Sequence, residues 1–324
     1  MGVSADRRRF LKMGAWGAGA AALVAAARVT RRPTHGIPVG FSQMDNAGSW
    51  RVAETNSLRE EAARRGGYQL FVTDAQDQTA KQVADVEDLI ARRVRAIFIA
   101  PREFEGLDPV FEAAGRAEIP IFLIDRVADA RPGVDYVAFL GSDFVEQGRR
   151  SAAWLAKATG GEASVVELTG TAGSSVANDR AGGFAEELAR HPGMRMLTSQ
   201  TAQFSRAVGQ RVMENLIQAH GRAITAVYAH NDEMAIGAIQ ALRAASLRPG
   251  VDVTLVSIDG ERAALEAIIR GELGASVESN PRFGPLAFET LERHLRGEPV
   301  PPRIILDDRL FDASNAAEFV DEAF

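Results

Sequence analysis

The feature that most constrains the fold of this chain is a regular alternation of short apolar runs with amphipathic segments, which starts at Gly36. The first two runs cover 37–43 and 68–75. The runs at 96–101 and 120–126 are almost continuously apolar, which is typical of strands that are buried on both faces. An alternation of this kind predicts βα units around a parallel sheet.

The segment between the first two runs is predicted to be a helix with recognisable ends. Ser49 is placed to cap its start, because a serine hydroxyl accepts a hydrogen bond from a free backbone N–H in the first turn. Gly66 and Gly67 are placed to end it, because glycine readily adopts the left-handed conformation that closes a helix.

The same strand–helix order starts again in the second half of the chain. Strands are predicted at 163–170, 194–200, 226–232 and 253–260, and the tail from 275 to 311 supplies further strands and a helix shared between the two halves. A chain of 324 residues suits two domains of ordinary size. We therefore expect an α/β protein with two Rossmann-like lobes, each built on a parallel sheet.

Two of the predicted strands end in an aspartate. "FLIDR" places Asp125 and Arg126 after an apolar run, and "VSIDG" places Asp259 after another. When the two halves of the chain are aligned by their strand–helix order, these two strands take equivalent places, each predicted as the last parallel strand of its half. Ligands of open parallel sheets bind outside the carboxyl ends of the strands. A carboxylate suits paired hydroxyls, and arginine donates in a planar fork, so these residues would suit a polyol.

The alternative for Asp125 and Arg126 is a local ion pair or a loop cap. The recurrence of an aspartate at the equivalent place in the second half favours ligand contact instead. A sugar ring also has an apolar C–H side that an aromatic face can cover. Trp50 and Phe204 are the candidates, because both lie in polar loop sequence rather than in an apolar run typical of a core position.

Features of catalysis or of metal binding are missing from the sequence. It contains no cysteine, its five histidines show no metal-ligand spacing, and we find no nucleophile elbow or Ser/His/Asp arrangement. We therefore expect no catalytic residue, no cofactor and no metal.

The first 32 residues differ from the rest of the chain. A basic block from Arg7 to Lys12 precedes weakly apolar residues 13–27, an order similar to a bacterial twin-arginine export signal. A membrane anchor is the alternative, but the run is short for a span. Residues 1–32 carry seven Lys and Arg and one Asp, a net charge of +6, so the remainder of this chain of net charge −6 carries −12. An acidic protein of this kind is a poor partner for nucleic acid.

The motifs together resemble a known family, the type I periplasmic sugar-binding proteins of ABC transporters, in the ribose-binding class. The matching pieces are "IPIFLIDR", "DRAGGFAEEL", "YAHNDEMAIGAIQAL" and "VSIDG", in the order and spacing of that family from about Gly36 to the end. "GSWRVAETNSL", "VVELTGTAGSSVANDR" and "GASVESNP" look closer to its galactofuranose-binding branch.

The resemblance implies a fold and a set of ligand-binding residues. Two lobes would be joined by three hinge crossings near Ser142, Ser279 and Asp307. It divides the chain into an export signal and linker (1–35), an N-terminal lobe (36–141 and 280–307) and a C-terminal lobe (142–279 and 308–324). The implied ligand-binding residues are Trp50, Arg51, Asp125, Arg126, Arg180, Phe204, Asn231 and Asp259, with Glu278 facing the cleft beside Ser279.

The expected function is that of an exported, monomeric solute receptor of the periplasm. It would capture a monosaccharide similar to galactofuranose and deliver it to an ABC permease in the inner membrane. A sugar sensor that docks to a chemoreceptor or histidine kinase is one alternative, and a sugar-processing enzyme is another. A sugar-responsive transcription regulator would need a basic helix-turn-helix before residue 36, where this chain carries the export signal instead.

Overall fold

The structure is a computed structural model and describes residues 36–324. Its first sheet is built from β1 (Ile37–Gln43), β2 (Tyr68–Asp74), β3 (Ile97–Ile99), β4 (Ile121–Ile124), β5 (Ala138–Gly141) and β11 (Arg303–Ile305). All six strands are parallel, in the order β11-β5-β4-β3-β1-β2. The predicted export signal lies outside the described residues.

The second sheet is built from β6 (Ala163–Thr169), β7 (Met194–Thr201), β8 (Ala226–Ala229), β9 (Thr254–Asp259), β10 (Ala275–Glu278) and β12 (Leu310–Asp312). It repeats the arrangement of the first sheet in the order β12-β10-β9-β8-β6-β7. All neighbours are parallel except β12, which pairs antiparallel with β10. The prediction of two α/β lobes is confirmed.

Helices flank both sheets. The first sheet carries α1 (Ser49–Arg65), α2 (Thr79–Ala91), α3 (Asp108–Arg116) and α9 (Gly284–Leu295). The second carries α4 (Phe144–Ala158), α5 (Ser175–Leu188), α6 (Arg206–His220), α7 (Asp232–Ala244), α8 (Arg262–Ile269) and α10 (Ala316–Phe319). Each sheet with its helices is called a lobe below, the first lobe and the second lobe.

The continuous apolar runs are explained by a core on each face of each sheet. In β4, Ile121 and Leu123 belong to one apolar cluster of the first lobe, whereas Phe122 and Ile124 belong to the other. Successive side chains of a strand point to opposite faces, so a strand between two cores has no solvent-facing position.

The chain passes between the lobes three times. The connecting segments are 142–143 between β5 and α4, 279–283 between β10 and α9, and 306–309 between β11 and β12. Ser142, Ser279 and Asp307 lie in these segments. The finer lobe boundaries stay a prediction.

Two local predictions were wrong. The strand that contains "FLIDR" is not the last of its parallel run, because β5 continues the sheet beyond it, and β10 does the same beyond β9. Ser49 does not cap α1, because the helix begins at Ser49 itself and Gly48 takes the capping position without a side-chain hydrogen bond. Gly66 ends the helix in the left-handed conformation, as predicted.

The two sheets nevertheless place the two aspartates at equivalent positions. Read from the β2 edge and the β7 edge, β4 and β9 are each the fourth strand of their sheet. Asp125 directly follows β4, and Asp259 is the last residue of β9.

Candidate ligand-binding site

A cavity of about 1030 Å³ lies between the two lobes, at the carboxyl ends of the strands. We call it the cleft. Eight of the nine predicted site residues line it: Trp50, Arg51, Asp125, Arg126, Arg180, Phe204, Asn231 and Asp259. This volume lies just above the range of about 300–1,000 Å³ that is usual for small-molecule sites.

Both strand-end aspartates adopt a backbone conformation that favours glycine. The φ angle is 64° at Asp125 and 139° at Asp259, and each residue is 4% exposed. A non-glycine residue in such a conformation costs about 1–3 kcal/mol, and residues of this kind cluster at functional sites. The occurrence of this strain at equivalent places in two lobes indicates that the direction of each carboxylate matters.

In the first lobe, Asp125 belongs to a buried charge network. The Arg51 guanidinium donates from Nη2 to Oδ2 of Asp125 at 2.7 Å and from Nη1 to Oε2 of Glu54 at 2.9 Å. Gln43 donates a further hydrogen bond to the same Glu54 oxygen at 2.8 Å. Burial alone would lower the pKa of Arg51, but the Asp125 and Glu54 carboxylates raise it. Burial raises the pKa of Glu54 to about 7, although Arg51 acts in the opposite direction.

Arg126 keeps donors free for a ligand. Its Nη1 donates to the carbonyl oxygen of Arg102 at 2.7 Å, but its buried Nε has no hydrogen-bond partner among residues 36–324. Oδ2 of Asp125 lies 3.6 Å from that Nε. Burial and the neighbouring Arg51 lower the pKa of Arg126 to about 10, which leaves the guanidinium protonated at neutral pH. The third nitrogen of the guanidinium, Nη2, also donates no hydrogen bond within residues 36–324 and is not fully buried, so it can donate to a hydroxyl or another acceptor in the cleft.

In the second lobe, Arg180 is oriented by two neighbours. Its Nε donates to Oε1 of Gln147 at 3.0 Å, and its Nη1 donates to the carbonyl oxygen of His230 at 2.5 Å. Its Nη2 lies 3.5 Å from Oδ1 of Asp259.

The Asp259 carboxylate is the least satisfied acidic group of the cleft. It accepts no hydrogen bond from any residue that the structure describes. Burial raises its pKa well above the ordinary value, and Arg180 offsets this only in part. The oxygens of Asp259 are therefore available to hydroxyl donors of a ligand.

Trp50 and Phe204 supply aromatic surface from opposite lobes. Trp50 donates its indole Nε1–H to the carbonyl oxygen of Ser279 at 2.7 Å, which fixes the ring against the second crossing. The ring of Phe204 lies 5.6 Å from the guanidinium carbon of Arg126, across the cleft. Asn231 holds the Phe204 loop, because its Nδ2 donates to the carbonyl oxygen of Phe204 at 3.3 Å.

Glu278 is the predicted site residue that the structure places elsewhere. It does not line the cleft, and its carboxylate binds the guanidinium of Arg309 through two hydrogen bonds of 2.9 Å. Burial alone would raise the pKa of Glu278, but the hydrogen bonds from Arg309 lower it. The expectation that Glu278 faces the cleft is corrected accordingly.

Sequence reasoning missed several residues that support the site. Glu54 could have been found, because it lies three positions after Arg51 on the same helix face. Gln147 carries no such signal. It holds Arg180 and also donates to the carbonyl oxygen of Glu278 and to Oδ2 of Asp308, at 3.0 and 2.7 Å, so it connects the site to the crossings.

Several buried acids predict how stability depends on pH. Burial raises the pKa of Asp232 to about 6, of Glu54 to about 7 and of Glu261 to about 8. An acid whose pKa is raised by folding stabilises the fold below its unfolded pKa and loses that contribution as pH rises through its folded pKa.

We therefore expect the unfolding midpoint of the ligand-free protein to fall as pH rises from about 5 to about 8, by about 2–4 °C per kcal/mol of lost stability. Scanning calorimetry across this range measures the slope. Glu261→Gln should flatten it at the upper end, whereas a midpoint that rises towards pH 8 would contradict the raised pKa values of these acids.

Residues 36–324 hold neither a metal-binding cluster nor a membrane-spanning helix. No cluster of three or more His, Asp or Glu side chains in this range is arranged to hold a metal ion. No helix in this range has the length and apolarity required to cross a membrane.

Two similar lobes, three crossings and one polar and aromatic cleft between them define a class of protein, the two-lobed solute receptor. Comparison with known proteins gives the family. Residues 39–299 match the model of the periplasmic binding protein domain, and the chain belongs to that family. The resemblance inferred from the sequence is thereby confirmed.

The similar proteins carry names of sugar receptors. The chain is 41% identical to the galactofuranose-binding protein YtfQ of Escherichia coli K12, over 83% of this chain and 86% of the relative. It is 36% identical to the ribose import binding protein RbsB of the same organism, over 78% and 84%.

Solved structures agree with this assignment. A crystal structure of a galactofuranose-binding protein superposes with a TM-score of 0.86 at 40% identity, covering 88% of this chain and 98% of that one. The periplasmic binding protein component of the arabinose ABC transporter from Shewanella sp. ANA-3, bound to α- and β-L-arabinofuranose, gives a TM-score of 0.85 at 37% identity, covering 88% of this chain and 95% of that one.

Proposed function

We propose that this protein is a periplasmic receptor that binds a neutral monosaccharide similar to galactofuranose between its lobes and delivers it to an ABC permease. The observation that carries the proposal is the pairing of the two strand-end aspartates with arginines across one cleft. Asp125 lies with Arg51 and Arg126 on one wall, and Asp259 lies with Arg180 on the other. The named activities of the similar proteins support the same ligand class.

The proposed roles follow from the free atoms of each side chain. Arg126 donates to a ligand oxygen, and the carboxylate of Asp259 accepts from ligand hydroxyls. Trp50 and Phe204 cover the apolar side of the sugar ring from the two lobes. Charge-assisted hydrogen bonds contribute about 1.5–3 kcal/mol each, so a few of them select a sugar over water.

The mechanism is a hinge equilibrium. A ligand that contacts both walls binds the closed arrangement better than an open one, and it shifts the population towards closure by that difference in affinity. The three crossings at 142–143, 279–283 and 306–309 are the segments that would bend.

A panel of sugars tests this proposal. Purified protein is mixed with pentoses and hexoses, including compounds locked in furanose form, and followed by thermal shift and titration calorimetry. A ligand at 100 times its Kd stabilises the folded state by about 2.7 kcal/mol, so a hit raises the midpoint clearly. Absence of binding across the whole panel would overturn the proposal. Conversion of the sugar would indicate an enzyme.

We expect the site to discriminate against acidic sugars. The three cationic groups Arg51, Arg126 and Arg180 already face the three acids Asp125, Glu54 and Asp259, so an added carboxylate would bring a negative charge that no further cation of this set offsets. Galacturonate should bind at least about 100-fold more weakly than galactose, because an unpaired charge in a closed site costs several kcal/mol. Calorimetric titrations of the two sugars measure the ratio, and equal affinities would contradict this charge balance.

A further inference from the structure

Among the hydrogen bonds between the two lobes, the one between Ser49 and Glu261 lies at the edge of the proposed site. The hydroxyl of Ser49 donates to Oε1 of Glu261 at 2.5 Å. Ser49 is the first residue of α1 in the first lobe, and Glu261 lies between β9 and α8 in the second. Both residues line the cleft, and Glu261 is 3% exposed.

Neither lobe uses the side chain of Ser49 or Glu261 to cap the start of its own helix. The N-terminus of α1 follows Gly48, receives no side-chain cap and has no acidic residue in its first turn. Its free N–H groups and its partial positive charge therefore lack compensation within the helix. Glu261 precedes α8 in the capping position, but its side chain does not cap that helix. The hydrogen bond between Ser49 and Glu261 therefore holds one lobe against the other rather than stabilising either lobe alone.

A buried network holds Glu261 in place. The backbone N–H of Glu261 donates to Oδ2 of Asp232 at 2.8 Å, and Oδ1 of Asp232 accepts from the hydroxyls of Ser257 and Ser276 at 2.5 and 2.7 Å. In the first lobe, Ser49 directly precedes Trp50 and Arg51. A bond that fixes Ser49 therefore also fixes the start of the segment that carries two site residues.

The acidic surroundings of Glu261 increase the stabilisation that the hydrogen bond from Ser49 provides. Asp232, Glu233 and Asp259 are acidic, and the nearby cation Arg206 is bound to Glu233 by hydrogen bonds of 2.8 Å. Burial and Asp232 raise the pKa of Glu261 to about 8. The Ser49 hydroxyl and the positive end of α1 offset part of this unfavourable environment, and they are available only when the lobes meet.

We propose that Glu261 is a positioning residue that latches the closed cleft through Ser49. The latch holds the start of α1 against the second lobe, so that Trp50 and Arg51 face the ligand. Its effect on affinity rests on the proposed function, whereas its effect on closure does not.

Binding kinetics test the effect of the latch on ligand affinity. Ser49→Ala and Glu261→Ala should each weaken binding of L-arabinose or D-galactose about tenfold, as expected for the loss of one hydrogen bond. The loss should lie in the dissociation rate, because the bond forms only after closure. The double variant should lose little more than either single variant, and Glu261→Gln should recover most of the affinity because its amide oxygen still accepts from Ser49.

Glu233→Gln is the matched control. Glu233 lines the same wall but pairs with Arg206 of its own lobe, so its change should leave the dissociation rate within about twofold. Additive losses in the double variant, or an equal loss in Glu233→Gln, would overturn the latch.

A ligand-free measurement separates the latch from the proposed function. The chain has no cysteine, so spin labels can be placed by A80C and A207C, at exposed residues near the starts of α2 and α6 on opposite lobes. Pulsed electron resonance then reports the distance between lobes.

Glu261→Ala and Ser49→Ala should shift this distribution towards longer distances, and Glu261→Gln should not. A shift in a protein that binds no sugar would support the latch and refute the proposed function. Unchanged distances in a protein that binds sugar would refute the latch and support the proposed function.

Discussion

Asp259→Asn should abolish high-affinity sugar binding while leaving the fold at least as stable as before. The carboxylate of Asp259 accepts no hydrogen bond from the described residues, so its accepting capacity is free for ligand hydroxyls. Replacing two charge-assisted bonds by weaker neutral ones, or losing them, corresponds to at least about a 100-fold rise in Kd. Asparagine is chosen because it keeps the size and shape of the side chain and removes the charge together with one acceptor oxygen.

The expected gain in stability has a separate cause. Burial raises the pKa of Asp259 well above its ordinary value, which means that the ionised form is disfavoured in the folded protein. The neutral amide removes this cost at neutral pH. Arg180 is not left without partners, because Gln147 and the carbonyl of His230 still accept its N–H groups.

Titration calorimetry and urea unfolding measure the two effects on the same samples. Asp259→Ala should also lose binding. A variant that binds within a few-fold of the unsubstituted protein would remove Asp259 from the site. A loss of several kcal/mol in unfolding free energy would show that Asp259 is a structural residue instead.

The parts of this molecule that were predictable from sequence are those set by local pattern. Runs such as "IFLI" in β4 are apolar at every position because a core lies on each face of the sheet. This pattern can be recognised from the sequence without knowing which elements pack against the strand. The aspartates after β4 and β9 were found for a related reason, because a charge that ends a buried strand is conspicuous.

The parts that failed depend on a partner far along the chain. Ser49 has the residue type of a helix cap, but in the structure it donates to Glu261, which lies 212 positions away. Glu278 has a carboxylate of the kind that binds ligand hydroxyls, but Arg309 in the third crossing binds this carboxylate instead. Neither partner could be identified from spacing, because long-range pairing is decided by the packing of the two lobes.

The equivalent substitution in the first lobe, Asp125→Asn, should lose binding and also destabilise the fold. Asp125 differs from Asp259 in that it accepts a hydrogen bond of 2.7 Å from the buried Arg51 and lies 3.6 Å from Nε of Arg126. Removing the carboxylate leaves two buried guanidinium groups close to each other, with Glu54 as the remaining acid of this network. Breaking a buried ion pair in this way costs about 3–5 kcal/mol, and Glu54 should keep the loss near the lower end.

The two aspartates therefore give opposite stability changes at equivalent places in the fold, and this contrast is the sharpest test of the site. Urea unfolding of both asparagine variants measures it, with Asp125→Asn/Arg51→Met as the matched control. The added change removes one of the two guanidinium groups, so it should restore most of the unfolding free energy but none of the sugar affinity. If Asp125→Asn unfolds at the same urea concentration as the unsubstituted protein, Arg51 and Arg126 do not depend on Asp125. In that case the first wall of the cleft is organised by Glu54 rather than by the aspartate that follows β4.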